Sequence, residues 1–372
     1  MNFKELKIDE DLVLVLNKNG INTPTEIQEK AIPIILNGED VIGEAQTGTG
    51  KTLSFLLPMF QEIDLKNKNI QGLIISPTRE LAIQITEECN KLSKGKEVNV
   101  LSLYGGKDMA GQLKKLNTNV HIVVATPGRL IDHIEKGNIN LKNVKTVVLD
   151  EADQMLLMGF RNEIDKIMTY VPKKKKMLCF SATMDSKVKK LAYRYMNNPK
   201  IISVSNNDKV TLDEIKQEVV FTTDRWKRNA LCKALEEDNP FMAIIFCRTK
   251  RRADELEEYM ARGKFNCEKI HSDIKQSKRE RLMKNFREAK IQYLIATDVA
   301  ARGIDIEGVD YIYNYDAPET PESYIHRIGR TGRQGAKGYT CMFIADKDKS
   351  HLKAIQEMIE MEIPERNVEI IK

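Results

Sequence analysis

No stretch of this sequence approaches the roughly 18 consecutive apolar residues that a bilayer-spanning helix needs, so no membrane segment is expected. The N-terminus, MNFKELKIDE, carries acids among its first residues and lacks an apolar stretch, which argues against a signal peptide. Six cysteines (Cys89, Cys179, Cys232, Cys247, Cys267, Cys341) lie scattered, with no CxxC spacing. That excludes a zinc-finger pattern and a disulfide framework, and suits a reducing, cytoplasmic setting. Aromatic residues make only 6% of the chain, against 41% hydrophobic and 30% charged, the balance of a soluble globular protein. Charge of one sign is also missing: 59 basic against 54 acidic residues leave a net +5, which permits a polyanionic partner without demanding one.

At 372 residues the chain is too long for one ordinary core. Short β-branched runs recur at Asp40–Gly43, Leu73–Ser76, Val100–Leu103, His121–Ala125, Thr146–Leu149 and Met177–Phe180, with helical periodicity between them, as over Leu81–Leu92 and Phe160–Tyr170. Strand alternating with helix predicts a parallel sheet covered on both faces. The pattern repeats at Gln217–Thr222, Ala243–Phe246, Cys267–Ile270, Gln292–Ala296, Asp310–Asn314 and Gly338–Phe343. The fold class expected is therefore α/β, with two parallel-sheet domains in tandem. The polar stretch VSNNDK from Val204 marks a linker at 205–210, between domains at 1–204 and 211–372. The lysines Lys173–Lys176 follow Pro172 and read as a solvated turn rather than a nucleic-acid patch. Trp226 and the Met and Cys residues at strand positions read as core fillers.

The unusual residues fall just after predicted strands, where open parallel sheets form their ligand crevice. Ala45–Thr52, AQTGTGKT, is the first such segment. Gly48 and Gly50 let the backbone turn N–H groups toward phosphate oxygens, and a helix starting near Lys51 adds its positive end. Lys51 would reach the β- and γ-phosphates and Thr52 would ligate Mg²⁺. Ala45 stands where the strict phosphate-loop pattern has its first glycine, and Gln46, Thr47 and Thr49 complete the loop. Asp150–Asp153, DEAD, is the second. Adjacent carboxylates at a strand end call for a cation or donors. Asp150 would hold Mg²⁺ and Glu151 would take the proton from the water attacking the γ-phosphate.

With these motifs the sequence resembles the DEAD-box family of superfamily 2 helicases, in its bacterial-type minimal form, over essentially the whole chain and in family order. The resemblance implies RecA-like domains, ATP and Mg²⁺ as cofactors, and RNA-dependent ATP hydrolysis that locally unwinds RNA duplexes or remodels RNA–protein complexes. Gly20–Gln28 (GINTPTEIQ) resembles the adenine-reading Q motif, with Phe3, Thr25 and Gln28 on the nucleotide. The family usually has Phe or Tyr where this chain has Ile21, so adenine stacking becomes a weaker apolar contact. Pro77, Thr78 and Arg79 of PTRELA, the pair Gly105 and Gly106, and Thr126, Pro127, Gly128 and Arg129 of TPGR offer small residues, hydroxyls and single arginines. That chemistry suits a sugar–phosphate backbone rather than base edges. Ser181 and Thr183 of the SAT motif would couple hydrolysis to strand separation.

In the second domain, ATDVAARGID and YIHRIGRTGR carry the resemblance. It implies Arg330 and Arg333 as arginine fingers on the γ-phosphate, Asp305 on the ribose hydroxyls, and His326 paired with the DEAD box. Arg248, Thr249, Gln276, Arg279, Thr297 and Arg302 would face RNA. Arg327, Arg330 and Arg333 recur every three residues and are expected on one face at the start of a helix. His271-Ser272-Asp273 departs from the family's HGD, and serine would be strained if that position needs φ > 0. The partner implied is single-stranded and short duplex RNA, bound through its backbone with little sequence specificity. Ribonucleoprotein or RNA-decay partners are compatible with it, and a monomeric core is expected. Many members of the family carry a tail that chooses the RNA. The sequence ends at Ile370-Ile371-Lys372 with none visible, which fits either a minimal enzyme or one whose tail has been removed, so it does not specify the RNA target. Two rival readings stand beside the helicase: a nucleotide-gated RNA clamp with a slow ATPase, and a DNA-directed superfamily 2 motor.

Overall fold

The computed structural model describes residues 1–45, 48–106, 109–116, 118–204, 215–301, 309–331 and 338–369. The chain divides into two compact units, Met1–Ser205 and Asn206–Lys372. In the first, the strands are β1 (Val41–Glu44), β2 (Gly72–Ile75), β3 (Val100–Leu103), β4 (Ile122–Ala125), β5 (Thr146–Leu149), β6 (Lys176–Ser181) and β7 (Lys200–Ser203). They lie in the order β3-β4-β2-β5-β6-β1-β7, every pair parallel. In the second, β8 (Ile215–Phe221), β9 (Ala243–Cys247), β10 (Cys267–Ile270), β11 (Tyr293–Thr297), β12 (Tyr311–Asn314) and β13 (Gly338–Ile344) lie in the order β10-β11-β9-β12-β13-β8, again parallel. Both sheets are all-parallel, as expected of two tandem α/β domains.

Alternation along each strand sends successive side chains to opposite faces. Ile74, Val124, Val148, Leu178 and Phe180 join one apolar cluster with Phe55 and Leu56. Leu73, Ile75, Val147, Leu149, Met177 and Cys179 join the other with Met155 and Leu191. Burial on both faces explains why the central strands are uninterrupted apolar runs.

Strand β7 is absent from the sequence reading. Its burial is one-sided, with Ile202 buried and Ile201 exposed, as suits an edge strand. The Val204 N–H continues the ladder to the Glu44 carbonyl (3.0 Å). Residues 205–210, the expected linker, lie outside the described residues.

Three other readings need correction. Lys176 is not solvated: it begins β6, is buried, and its ammonium donates to the Ile35 carbonyl (2.7 Å) and pairs with Glu62, so only the outer part of the lysine run is exposed. Trp226 is half-buried, with the Arg225 guanidinium 5.4 Å from its ring centre, and is no core filler. Cys267, the first residue of β10, is likewise only half-buried.

One carboxylate ties the base of the first sheet. Asp40, just before β1, accepts from the main-chain N–H of Met177 (2.7 Å) and of Asn197 (2.6 Å), while its own carbonyl accepts from Lys200 (2.8 Å). Asp40→Ala strands two amides and should cost the first unit about 3 kcal/mol. In urea unfolding followed by unit-specific probes, the first unit's midpoint should fall while the second's stays put.

Candidate active site

Three strands that are neighbours in the sheet, β5, β6 and β1, deliver DEAD, SAT and the phosphate loop to the same edge. The β1–β6 ladder runs into the site, since the Ala45 N–H donates to the Ser181 carbonyl (3.0 Å). Gly48 and Gly50 both adopt left-handed backbone, at φ 88° and 89°. Gly50 is needed a second time for space: a Cβ there would lie 2.4 Å from Gln28 Nε2 and 2.8 Å from Thr25 Oγ1. The helix Lys51–Glu62 starts immediately after it. The buried Lys51 ammonium donates to the Ala45 carbonyl (2.7 Å), folding back onto the loop it serves.

Asp150 and Glu151 are 3% and 5% exposed. Burial pushes the Asp150 carboxyl from the ordinary 3.8 up to about 7; Lys51 opposes the rise, while Glu151 and Asp153 add to it. A buried carboxylate this reluctant to ionise fits a site completed by a cation, with Thr52 at the second position of the neighbouring helix. Glu151 stands at φ 52°, a conformation costing a side-chain-bearing residue about 1–2 kcal/mol, held as the N-cap of the helix Ala152–Leu157. Its Oε2 is buried and has no hydrogen-bond partner among the described residues, so it is available to accept a proton. Asp153 instead is tied to SAT: its N–H donates to Ser181 Oγ (3.3 Å) and its carboxylate accepts from Thr183 Oγ1 (3.2 Å).

Gln28 is engaged at both ends of its amide. Its Oε1 accepts the Thr25 N–H (3.0 Å) and its Nε2 donates to the Gly50 carbonyl (3.0 Å), leaving one lone pair and one hydrogen for a base edge. Phe3 is 1% exposed in the core, and the half-buried Ile21 packs on the same cluster.

Three further strands, β2, β4 and β3, are also neighbours and lead into the other three motifs. Thr78 caps the helix Arg79–Leu92 by accepting from Leu81 N–H (3.2 Å). A Cβ on Gly105 would lie 3.1 Å from Arg79 Nη2, so the guanidinium rests against that bare backbone. Gly106 follows at φ 85°. Thr126 precedes Pro127, the first residue of the helix Pro127–Glu135; Gly128 faces open space and Arg129 donates to Gln112 Oε1 (3.1 Å).

In the second unit, β11 ends at Thr297, and its neighbours β10 and β9 lead directly into His271 and Arg248. Thr249 is an exposed cap accepting from Arg252 N–H (3.2 Å). Arg248 is less available than expected: its guanidinium donates to Asp348 (3.1 Å), which also holds the fully buried Lys227 (2.8 Å). Gln276 and Arg279, in the first turn of the helix Gln276–Arg287, are buried, at 6% and 5% exposure. Ser272 is not among the described residues with positive φ, so serine there is unstrained.

The expectation that three arginines share one face at a helix start is overturned. Arg327 lies in the last turn of the helix Pro321–Ile328 and is consumed structurally, paired with both Asp298 carboxylate oxygens (2.6 and 2.8 Å) and donating to Asn314 and the Asp316 carbonyl. Arg330 comes after the helix has ended at Gly329 and is buried; His326 is half-buried. Gln46, Thr47, Arg302, Asp305 and Arg333 lie outside the described residues.

Residues 25–191 match the DEAD/DEAH box helicase domain, and residues 226–335 the helicase conserved C-terminal domain. The ATP-dependent RNA helicase CshA of Listeria monocytogenes is 47% identical over 355 residues, covering 95% of this chain and 68% of that protein. The DEAD-box ATP-dependent RNA helicase CshA of Bacillus subtilis is 45% identical, covering 96% of this chain and 72% of its own length. The chain belongs to the DEAD-box family of ATP-dependent RNA helicases. Saccharomyces cerevisiae Dbp5 bound to RNA and ADP BeF3 has the same architecture, with 31% identity, a TM-score of 0.89, and coverage of 98% of this chain and 95% of that one. Mss116p bound to ssRNA and AMP-PNP aligns at 32% identity and a TM-score of 0.87, over 98% of this chain and 78% of that one.

Two groups of this DEAD-box helicase escaped the sequence reading: Asp298, the carboxylate that claims Arg327, and the buried pair Gln112 and His133 beside Arg129. Asp298 follows Thr297 directly and could have been flagged as a counter-charge; Gln112 stands too far along the chain from Arg129 for spacing to reveal it.

A carboxyl that stays protonated longer when folded stabilises the fold at low pH and loses that contribution as pH rises through its folded value. Without nucleotide and in a chelator, Asp150 should therefore make the first unit less stable between pH about 4 and about 7. Asp150→Asn should flatten that slope and raise stability at pH 8, measured by urea unfolding across pH.

Proposed function

We propose that this chain hydrolyses ATP when bound to RNA, and separates short RNA duplexes locally, with a residue set divided between its two units. That it is an ATP-dependent RNA helicase follows from its family; the assignment of roles to its residues is our reading. What carries it is the sorting of motifs by strand order, with DEAD, SAT and the phosphate loop following three adjacent strands and PTRELA, GG and TPGR following three others.

In this reading the loop amides of 45–50 and Lys51 bind the phosphates, Lys51 exchanging the Ala45 carbonyl for them. Gln28, with Ile21 and Thr25 beside it, binds the base. Glu151 Oε2 takes the proton from the attacking water as its oxygen bonds to the γ-phosphorus and the bond to the ADP oxygen breaks. Mg²⁺, held by Asp150 and Thr52, would supply neutralisation of phosphate charge. Arg330 and Arg333 stabilise charge on the transferred group, Asp305 the ribose, and His326, Ser181 and Thr183 link the DEAD box to strand separation. Arg79, Gly105, Gly106, Thr126, Gly128 and Arg129 bind RNA phosphates and sugars, as do Thr249, Thr297 and Arg302. Arg248, Gln276 and Arg279 contribute chiefly by shaping that surface. We place the protein in the cytoplasm as a monomer, with ribonucleoprotein or RNA-decay complexes as its setting.

Glu151→Gln should retain ATP and RNA binding while the turnover rate falls at least a hundredfold; wild-type-like hydrolysis removes Glu151 from its role. Arg330→Ala should abolish RNA-stimulated hydrolysis with a modest loss of nucleotide affinity. Displacement of a labelled strand from a short duplex separates a helicase from a passive clamp, and stimulation by RNA against DNA of equal sequence separates it from a DNA motor.

A further inference from the structure

Gln112 sits 5% exposed on the helix Met109–Leu116 and uses its whole carboxamide. Its Nε2 donates to the Tyr104 carbonyl (3.1 Å), one residue before Gly105. Its Oε1 lies 3.1 Å from Arg129 Nη1 and 3.1 Å from His133 Nε2. The amide cannot be turned over: its NH₂ would then meet the guanidinium N–H, and its oxygen would face the Tyr104 carbonyl. An oxygen accepts only from a nitrogen that carries hydrogen, so His133 is the Nε2–H tautomer. Its bare Nδ1 then faces Asn138 Nδ2 at 3.4 Å. His133 is fully buried, and burial together with the charge of Arg129 keeps its pKa below the usual histidine range, so the ring stays neutral.

We infer that His133 is a positioning residue for RNA binding: its imidazole N–H orients the Gln112 amide, which joins Arg129 of TPGR to the Tyr104–Gly106 turn and holds both in one geometry. The inference rests on the proposed RNA-facing role of Arg129. The turn continues to Gly105, on whose backbone Arg79 lies, so one buried imidazole lies behind contributions from all three motifs.

The test is an RNA titration of ATPase rate and of RNA binding in the full chain, with nucleotide affinity measured alongside. His133→Leu removes the donor and should raise the RNA concentration for half-maximal rate about tenfold, leaving the maximal rate and nucleotide affinity within about twofold. His133→Gln puts an N–H back near the Nε2 position and should restore most of the loss. Gln112→Leu cuts the same link from the other side and should match His133→Leu, which covers the case in which that variant fails to fold. In an Arg129→Ala background, His133→Leu should add nothing further. The positioning role is overturned if Arg129→Ala raises the RNA requirement while both His133→Leu and Gln112→Leu leave it alone. Equal defects in His133→Leu and His133→Gln overturn it too, as do effects that multiply with Arg129→Ala. If Arg129→Ala itself leaves RNA dependence unchanged, the RNA role of Arg129 falls first and this inference with it.

Discussion

In a sheet whose strands all run parallel, every strand delivers its C-terminal end to the same edge, and lateral order alone decides which ends become neighbours. Here that order interleaves the chain: β6 lies between β5 and β1, and β4 between β3 and β2. Segments more than 130 residues apart, such as Ala45 and Ser181, thereby share a main-chain hydrogen bond of 3.0 Å. The chemistry of the first unit is a consequence of that arrangement. Two groups of motifs stand side by side on one edge, carried by central strands that are buried on both faces.

Charge is handled differently around the two groups. Around the DEAD box, carboxylates are buried in excess of their local counter-charge, and Asp150 responds with a raised pKa. The site is a poor place for a lone anion and a good one for a cation with its phosphates. Toward the β3 edge and in the second unit, arginines are matched: Arg327 is buried, Arg129 and Arg248 half-buried. Arg327 has Asp298, Arg248 has Asp348, and Arg129 has both the neutral amide of Gln112 and, at 3.6 Å, the exposed carboxylate of Asp132. The single, longer and solvent-exposed pairing with Asp132 leaves Arg129 more of its charge for an outside anion than the buried two-bond pairing with Asp298 leaves Arg327.

How much of this could be read in advance follows from range. The β-branched runs located twelve of the thirteen strands, because double-sided burial demands continuous apolar residues; β7 was lost because an edge strand buries only one face. Motif glycines were legible since Gly48, Gly50 and Gly106 occupy backbone that other residues avoid. The fate of individual charged side chains was not. Lys176, Arg248 and Arg327 each find a partner at least 29 residues distant, and no local spacing encodes that. Nor did the sequence indicate that Gln28 would be bonded at both ends of its amide, since its partner Gly50 lies 22 residues away.

The edge position of β7 has a mechanical meaning. The chain leaves the first unit through this strand, which is hydrogen-bonded directly to β1, and β1 runs into the phosphate loop. Four paired residues and the Val204–Glu44 bond form that seam. A pull on Val204 along the strand axis would load the seam lengthwise, so that its bonds share the load and resist together. The strand that carries the nucleotide loop is thus also the one to which the exit of the chain is anchored.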